Sequence, residues 1–247
     1  MKHEFFDLFH VSHIIVSIGI TILLLFLAKK FLKKQRHKDI FLKIIGITTL
    51  ILHLIPLWFN FLRNGETLVV DNMLFPIYFC NLSMFLLFVV SLMENKQSKI
   101  FKHVAIVVAY SSIIGALVTL VYPDFYFNYY DANIGLYKSF LSHDTMLLGG
   151  LYLIIGGYVK VENKNTLTFL GGLLFYGLIG VSINFLFIRN GLPTPNAMYL
   201  NAPPIEEVPL LNVYVISLLA IAFVIITQLI YGKMKQRIDN NGKYLIE

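Results

Sequence analysis

Charge is scarce in this sequence. Asp, Glu, Lys and Arg make up 14% of the chain and hydrophobic residues 57%, against about 25% and 45–50% in soluble domains. With a mean hydropathy of +0.72, so much apolar surface needs a solvent other than water. Cysteine is scarcer still: Cys80 stands alone, which excludes an internal disulfide framework and a Cys-rich metal site. Lys and Arg outnumber Asp and Glu, 20 to 14, but no basic face of a soluble module is present, so nucleic acid is not a partner.

Long apolar runs are present instead. Seven lie at 11–32, 40–61, 74–93, 101–121, 138–159, 167–188 and 209–231, each near the length of about 20 residues that crosses a bilayer as helix. Lipid offers the backbone no hydrogen bonds, so the spans are predicted to be helices. The fold expected is an all-α polytopic bundle of seven transmembrane helices in one domain, 1–247. Sixteen of the 20 Lys and Arg fall on alternate linkers, six of them in "KKFLKKQRHK" at 29–38. The positive-inside rule then puts the N-terminus outside and the C-terminus in the cytosol. Span one is expected to stay on the protein, because its basic residues follow the apolar run and no small-residue cleavage site appears.

The outer linkers are the richer ones. Residues 122–137 hold seven aromatics, a composition suited to the membrane interface. Linker 189–209 holds five of the eight prolines and reads either as a rigid cap or as a functional loop. Small residues recur as Ser111, Gly115 and Thr119, and as Gly149/Gly150 with Gly156/Gly157; both sets suit close helix packing.

Polar residues inside spans are costly and so are candidate sites. Counting about 1.5 Å per residue from the outer ends, His13, His53, Cys80, His143 and Asn184 all lie within about 12 Å of the outer surface. Five polar groups on five helices in one shallow layer suggest a pocket opening to the outer leaflet. Singly, each has a plainer reading: a histidine or asparagine bonds a neighbouring helix, and a buried cysteine fills space. Cys80 and His143 at matched depth read differently, since a base in reach turns a thiol into a nucleophile. Pro76 is placed in the first turn of span three, with Cys80 just beyond it. Asp144 points about 100° away from His143 and is a poor orienter for that ring. The His and Cys spacing fits no zinc pattern, so no metal and no cofactor is expected. A retinal-type receptor is disfavoured, because the seventh span has no lysine.

Three segments carry a resemblance. "FPIYFCNLSMF" at 75–85 resembles the proline–Leu/His–Cys–Asn–Leu segment of the transmembrane protein 164 acyltransferases and their bacterial relatives of the YwaF type. "LSHDTMLLGG" at 141–150 resembles the family's histidine segment, and "NAMYLNAPP" at 196–204 its loop before the last span. The chain departs from the pattern at Tyr78 and Phe79, where Leu/His is usual. The resemblance implies an integral membrane lipid acyltransferase, with Cys80 as nucleophile and His143 as base, acting between phospholipids and lysophospholipids; the charge bias and the polar layer put the site toward the extracytoplasmic leaflet of the cell membrane. Asn81 and Asn184 are the candidates to bind an oxyanion or orient the site. His13, His53, Tyr199 and Arg189 are expected to line the pocket, the last two near a phosphate headgroup. A transporter or lipid binder with an incidental cysteine, and a hydrolase with the same dyad, remain open alternatives, as does the oligomeric state.

Overall fold

The computed structural model describes residues 6–64, 77–123, 126, 134–203, 209 and 212–243; side chains are described except at 56–64, 134–135 and 235–243. Among them run seven helices: α1 (Leu8–Phe31), α2 (Gln35–Asn64), α3 (Phe79–Leu92), α4 (Lys99–Val121), α5 (Ile134–Ile155), α6 (Asn165–Arg189) and α7 (Val213–Lys243). No strand is present among the described residues. α1, α4, α6 and the Val213–Met234 part of α7 are long and apolar enough to cross a membrane, while α3 is a shorter apolar helix.

Local chemistry sets the helix ends. Asp7 caps α1 by accepting from the His10 N–H at 2.8 Å, and Ser98 caps α4 by accepting from Phe101 N–H at 3.1 Å. Asn212 caps α7, its Oδ1 accepting from Tyr214 and Val215 N–H at 3.1 Å. Such caps satisfy donors that lack an intrahelical partner. At the other end of α3, Lys96 Nζ donates to the carbonyls of Val90 and Ser91 at 2.9 and 3.0 Å.

α2, α3, α4 and α5 pack on one another, α1 lies against α5, and α6 and α7 lie against α4. α4 is the axis of the bundle: 67% of its apolar window is buried, against 22% in α1, 28% in α6 and 17% in α7. The outer three present Phe26, Leu174, Phe175, Leu218 and Ile226 outward. Long helices that are apolar on their exposed faces have hydrocarbon as their solvent.

Close approach in the core uses small residues. A Cβ on Gly150 would stand 2.8 Å from the Ala109 carbonyl oxygen of α4. Gly156/Gly157, expected in the same packing role, instead end α5. Gly157 has φ +87, and Tyr158 and Val159 N–H return to the Leu153 carbonyl at 3.0 and 2.8 Å. Only a residue without a Cβ takes that left-handed turn without strain.

One knot ties the chain's start into the bundle. Tyr126, completely buried, donates to both carboxylate oxygens of Asp7 at 2.8 Å. His10 Nε2–H donates to the Leu120 carbonyl at 2.8 Å, and its Nδ1 accepts from Phe6 N–H at 3.0 Å. Tyr126 is thus a core residue rather than part of an interfacial belt. Most of the remaining 122–137 linker lies outside the described residues.

Candidate active site

α3 begins at Phe79, five residues later than the span predicted at 74, and Pro76 lies outside the described residues. Cys80 therefore sits in the first turn of the helix, not past it. N-cap Tyr78 supplies no side-chain cap. The first-turn N–H groups lack intrahelical acceptors and carry the positive end of the helix dipole. That is the position that favours a thiolate.

Heights read from each helix's own start do not agree: Cys80 lies about 1.5 Å into α3, and His143 about 14 Å into α5. Heights read from α4 do. The Cys80 sulfur lies 3.4 Å from Thr119 Oγ1 and 3.6 Å from the Gly115 carbonyl oxygen. A Cβ on Gly115 would meet that sulfur at 3.2 Å and the Met146 methyl at 3.4 Å. α4 and α5 run antiparallel, so one turn from Gly115 gives Thr119 and one turn from Met146 gives His143. Cys80 also packs against the cluster of Met84, Phe140, Met146 and Leu147, which includes the turns of α5 on either side of His143.

His143 is buried, and its Nδ1 lies 2.7 Å from the Ser139 carbonyl oxygen. A carbonyl only accepts, so Nδ1 carries the proton and Nε2 is the basic nitrogen. Asp144 turns to α1, as the helical angle requires: its Oδ1 accepts from Ser17 Oγ–H at 2.6 Å. It lies 3.4 Å from His13 Nε2, an ion-pair distance without the alignment of a hydrogen bond.

The sulfur borders an apolar cavity of about 110 Å³ between α4, α6 and α7. Its lining includes Cys80, Thr119, Tyr176, Gly177, Tyr199 and Ala220, with no charged residue among the described residues. Beneath Cys80, the Tyr176 hydroxyl bonds Ser83 at 3.0 Å and Ser111 at 3.1 Å, and its ring packs on Phe79 with centroids 4.8 Å apart. These bonds hold α6 against α3 and α4 where the sulfur is seated.

Linker residues 196–202 form a strap over the start of α3. Asn196, Met198 and Tyr199 have φ of 52, 55 and 54, a left-handed backbone that asparagine tolerates and that costs about 1–2 kcal/mol at each of the other two. The strap is held from several sides. Ala197 N–H donates to Asn184 Oδ1 at 2.8 Å, and Asn184 Nδ2 donates back to the Ala197 carbonyl at 3.4 Å. Met198 N–H donates to the Ile77 carbonyl at 2.8 Å. Asn196 Oδ1 accepts from Asn201 and Ala202 N–H, and Tyr199 stacks on Tyr78 at 4.9 Å.

The shallow polar layer thus divides. Cys80 and Tyr199 share the cavity; His143 is not among its described lining residues and lies on α5 one turn from Met146. Asn184 engages the strap, an orienting role in place of an oxyanion contact. His13 lies on the α1–α5 seam, 4.1 Å from the Phe140 ring. His53 lies on the α2–α3 seam, edge-on to Phe85 at 5.8 Å. Asn81 is buried in α3 and Arg189 is exposed at the end of α6; neither lines the cavity. Equal height does not give a shared pocket, because each helix aims its residues around its own circumference. Thr119, Tyr176, Gly177 and His10 were missed. Only the Ser111/Gly115/Thr119 stripe signalled any of this, and it borders the cavity instead of serving packing alone.

A family model, the TMEM164 family, matches residues 5–234. The chain belongs to the TMEM164 family. The match runs from before α1 into α7 of this TMEM164-family chain, and with the four apolar helices it makes the chain a membrane protein. No curated protein and no solved structure matches it.

Proposed function

We propose that this chain is an integral membrane lipid acyltransferase that carries a fatty acyl group on Cys80. In this reading all seven helices cross the cell membrane, the N-terminus is outside, and the reaction takes place in the extracytoplasmic leaflet. The observation that carries the proposal is the seating of the sulfur. It stands in the first turn of a helix and on the wall of an apolar cavity with no charged residue among the described residues of its lining. A fatty ester suits that mostly apolar environment.

His143 Nε2 takes the thiol proton. The thiolate attacks the ester carbonyl of a phospholipid, the carbon–oxygen bond to glycerol breaks, and His143 returns the proton to the departing lysophospholipid. The hydroxyl of an acceptor lysophospholipid then gives its proton to His143 as its oxygen attacks the thioester. The carbon–sulfur bond breaks and the sulfur recovers the proton. The first-turn N–H groups of α3, with Asn81 beside Cys80, are the candidate oxyanion donors, a role worth about 3 kcal/mol when well placed. Tyr199 at the cavity and Arg189 at the end of α6 are the candidates to meet the headgroup.

The test is acyl transfer in lipid nanodiscs from a labelled phospholipid to a lysophospholipid. The label is expected on the acceptor with the wild-type chain, to vanish in Cys80→Ala, and to fall at least about 100-fold in His143→Ala. Transfer by Cys80→Ala at the wild-type rate refutes the proposal. Release of the label as free fatty acid alone would make the chain a hydrolase.

A further inference from the structure

Gly177 sits on the α6 wall of the cavity, and a Cβ built there meets no heavy atom within 4 Å. In membrane helices small residues ordinarily mark close approach of a neighbour. Gly172 and Gly180 of α6 follow that rule, whereas Gly171 lies on the exposed face and lines no cavity. Gly172 has the Val107 side chain packed onto it, and a Cβ on Gly180 would stand 2.7 Å from Met198 Cγ. Gly177, between them, has open space. Ser217 and Ala220 on α7 and Gly115 on α4, all small, line the same cavity. Leu173, Ile114 and Ala220 lie at its deep end, and Tyr110, Phe169 and Val224 pack with Ile114 and Ala220 in a closed core. From Val213 to Ala220 the α7 wall is about 10 Å long.

The occupant of this slot must be apolar and slender, and its reactive end must reach Cys80. A charged headgroup finds no countercharge among the described lining residues, and a helix is too wide for a gap already bounded by α4, α6 and α7. We infer that Gly177 is a specificity-determining residue: its missing side chain leaves the slot between α6 and α7 in which the hydrocarbon chain of the acyl group lies while its carbonyl is at the sulfur. The inference rests on the acyl-transfer reading and adds to it where the chain goes.

The test separates the two. Cys80 is the chain's one cysteine, so alkyl methanethiosulfonates report on it alone. The thiolate attacks the sulfenyl sulfur, a disulfide forms, and methanesulfinate leaves. Rates with the methyl and dodecyl reagents are measured by intact-protein mass spectrometry on the full chain at one detergent concentration. Gly177→Phe is expected to lower the dodecyl-to-methyl rate ratio at least about tenfold relative to wild type, with Gly177→Ala in between. Because open space surrounds position 177, the variants are expected to keep the wild-type Tm within a few degrees. Should Gly177→Phe fail to fold, Ala220→Leu at the deep end is expected to lower the same ratio. An unchanged ratio in the folded variants overturns the inference. So does an equal loss with both reagents. A wild-type chain that forms no acyl adduct from phospholipid, yet shows the ratio change, sinks the transfer reading and leaves the slot standing.

Discussion

Replacing Asn184 by leucine should free the strap without emptying its seat. Leucine keeps the approximate volume and removes both bonds to Ala197, whose backbone is completely buried. Leaving a buried amide donor unpaired costs about 1–3 kcal/mol. Met198 and Tyr199 of the strap already sit in the left-handed region, together about 2–4 kcal/mol of strain, which the surrounding contacts must offset. With the strongest clamp gone, the opening free energy should fall by about 1–3 kcal/mol, or about 5- to 150-fold in the open population. Hydrogen exchange on the detergent-solubilised protein reads this directly. Peptides covering residues 197–202 should exchange faster by that factor, while those covering the middle of α4 stay unchanged. Equal exchange in both proteins at 197–202 would show that Asn184 does not hold the strap. Acceleration along α4 as well would show that the variant had simply unfolded.

Three other outcomes follow from the packing. Burial and the adjacent Asp7 carboxylate push the Tyr126 phenol above its ordinary range. The folded protein then holds that proton more tightly than the unfolded chain, so this stabilisation is complete below about pH 10 and is lost as pH rises further. Tyr126→Phe should cost about 1.5–3 kcal/mol at neutral pH and flatten the alkaline fall of Tm; an identical alkaline slope contradicts the assignment. Thr119→Val removes the hydroxyl beside the sulfur at nearly constant volume and should slow methyl methanethiosulfonate labelling of Cys80 about 3- to 10-fold at fixed pH, and a rate equal to wild type argues against it. Gly150→Val forces atoms onto the Ala109 carbonyl and should lower stability by about 1–3 kcal/mol or more, measured as loss of Tm in detergent.

Much of the bundle was legible because hydrophobic runs of span length leave few alternatives. α1, α4 and α6 begin and end within three residues of the predicted spans. α3 and α5 were harder. An apolar run does not say where helix begins within it, so α3 starts late and α5 starts four residues early at Ile134. Both shifts changed what the site means. Cys80 moved to the helix terminus, where the dipole acts on it, and depth counted along single helices lost its value. Pairing Cys80 with His143 came from matched depth along the predicted spans, from their residue types and from the family resemblance. Their common height on α4 became visible only through Gly115, Thr119 and Met146. Periodicity places a residue on a face but does not say which neighbour that face meets. His13 and His53 therefore looked like pocket residues while lying on other seams, and His10, which pins α1 to α4, passed unnoticed. The glycine pairs teach the same lesson. Gly149/Gly150 and Gly156/Gly157 look alike in sequence, but one pair lies inside a helix against neighbours and the other turns the chain out of it.

The most direct measurement is the intact mass of the protein after incubation with a phospholipid of one known chain. A mass increase equal to that acyl group, removed by hydroxylamine as thioesters are, absent in Cys80→Ala and much reduced in His143→Ala, is the result expected. An unmodified wild-type chain, or an adduct that persists in Cys80→Ala, contradicts the account.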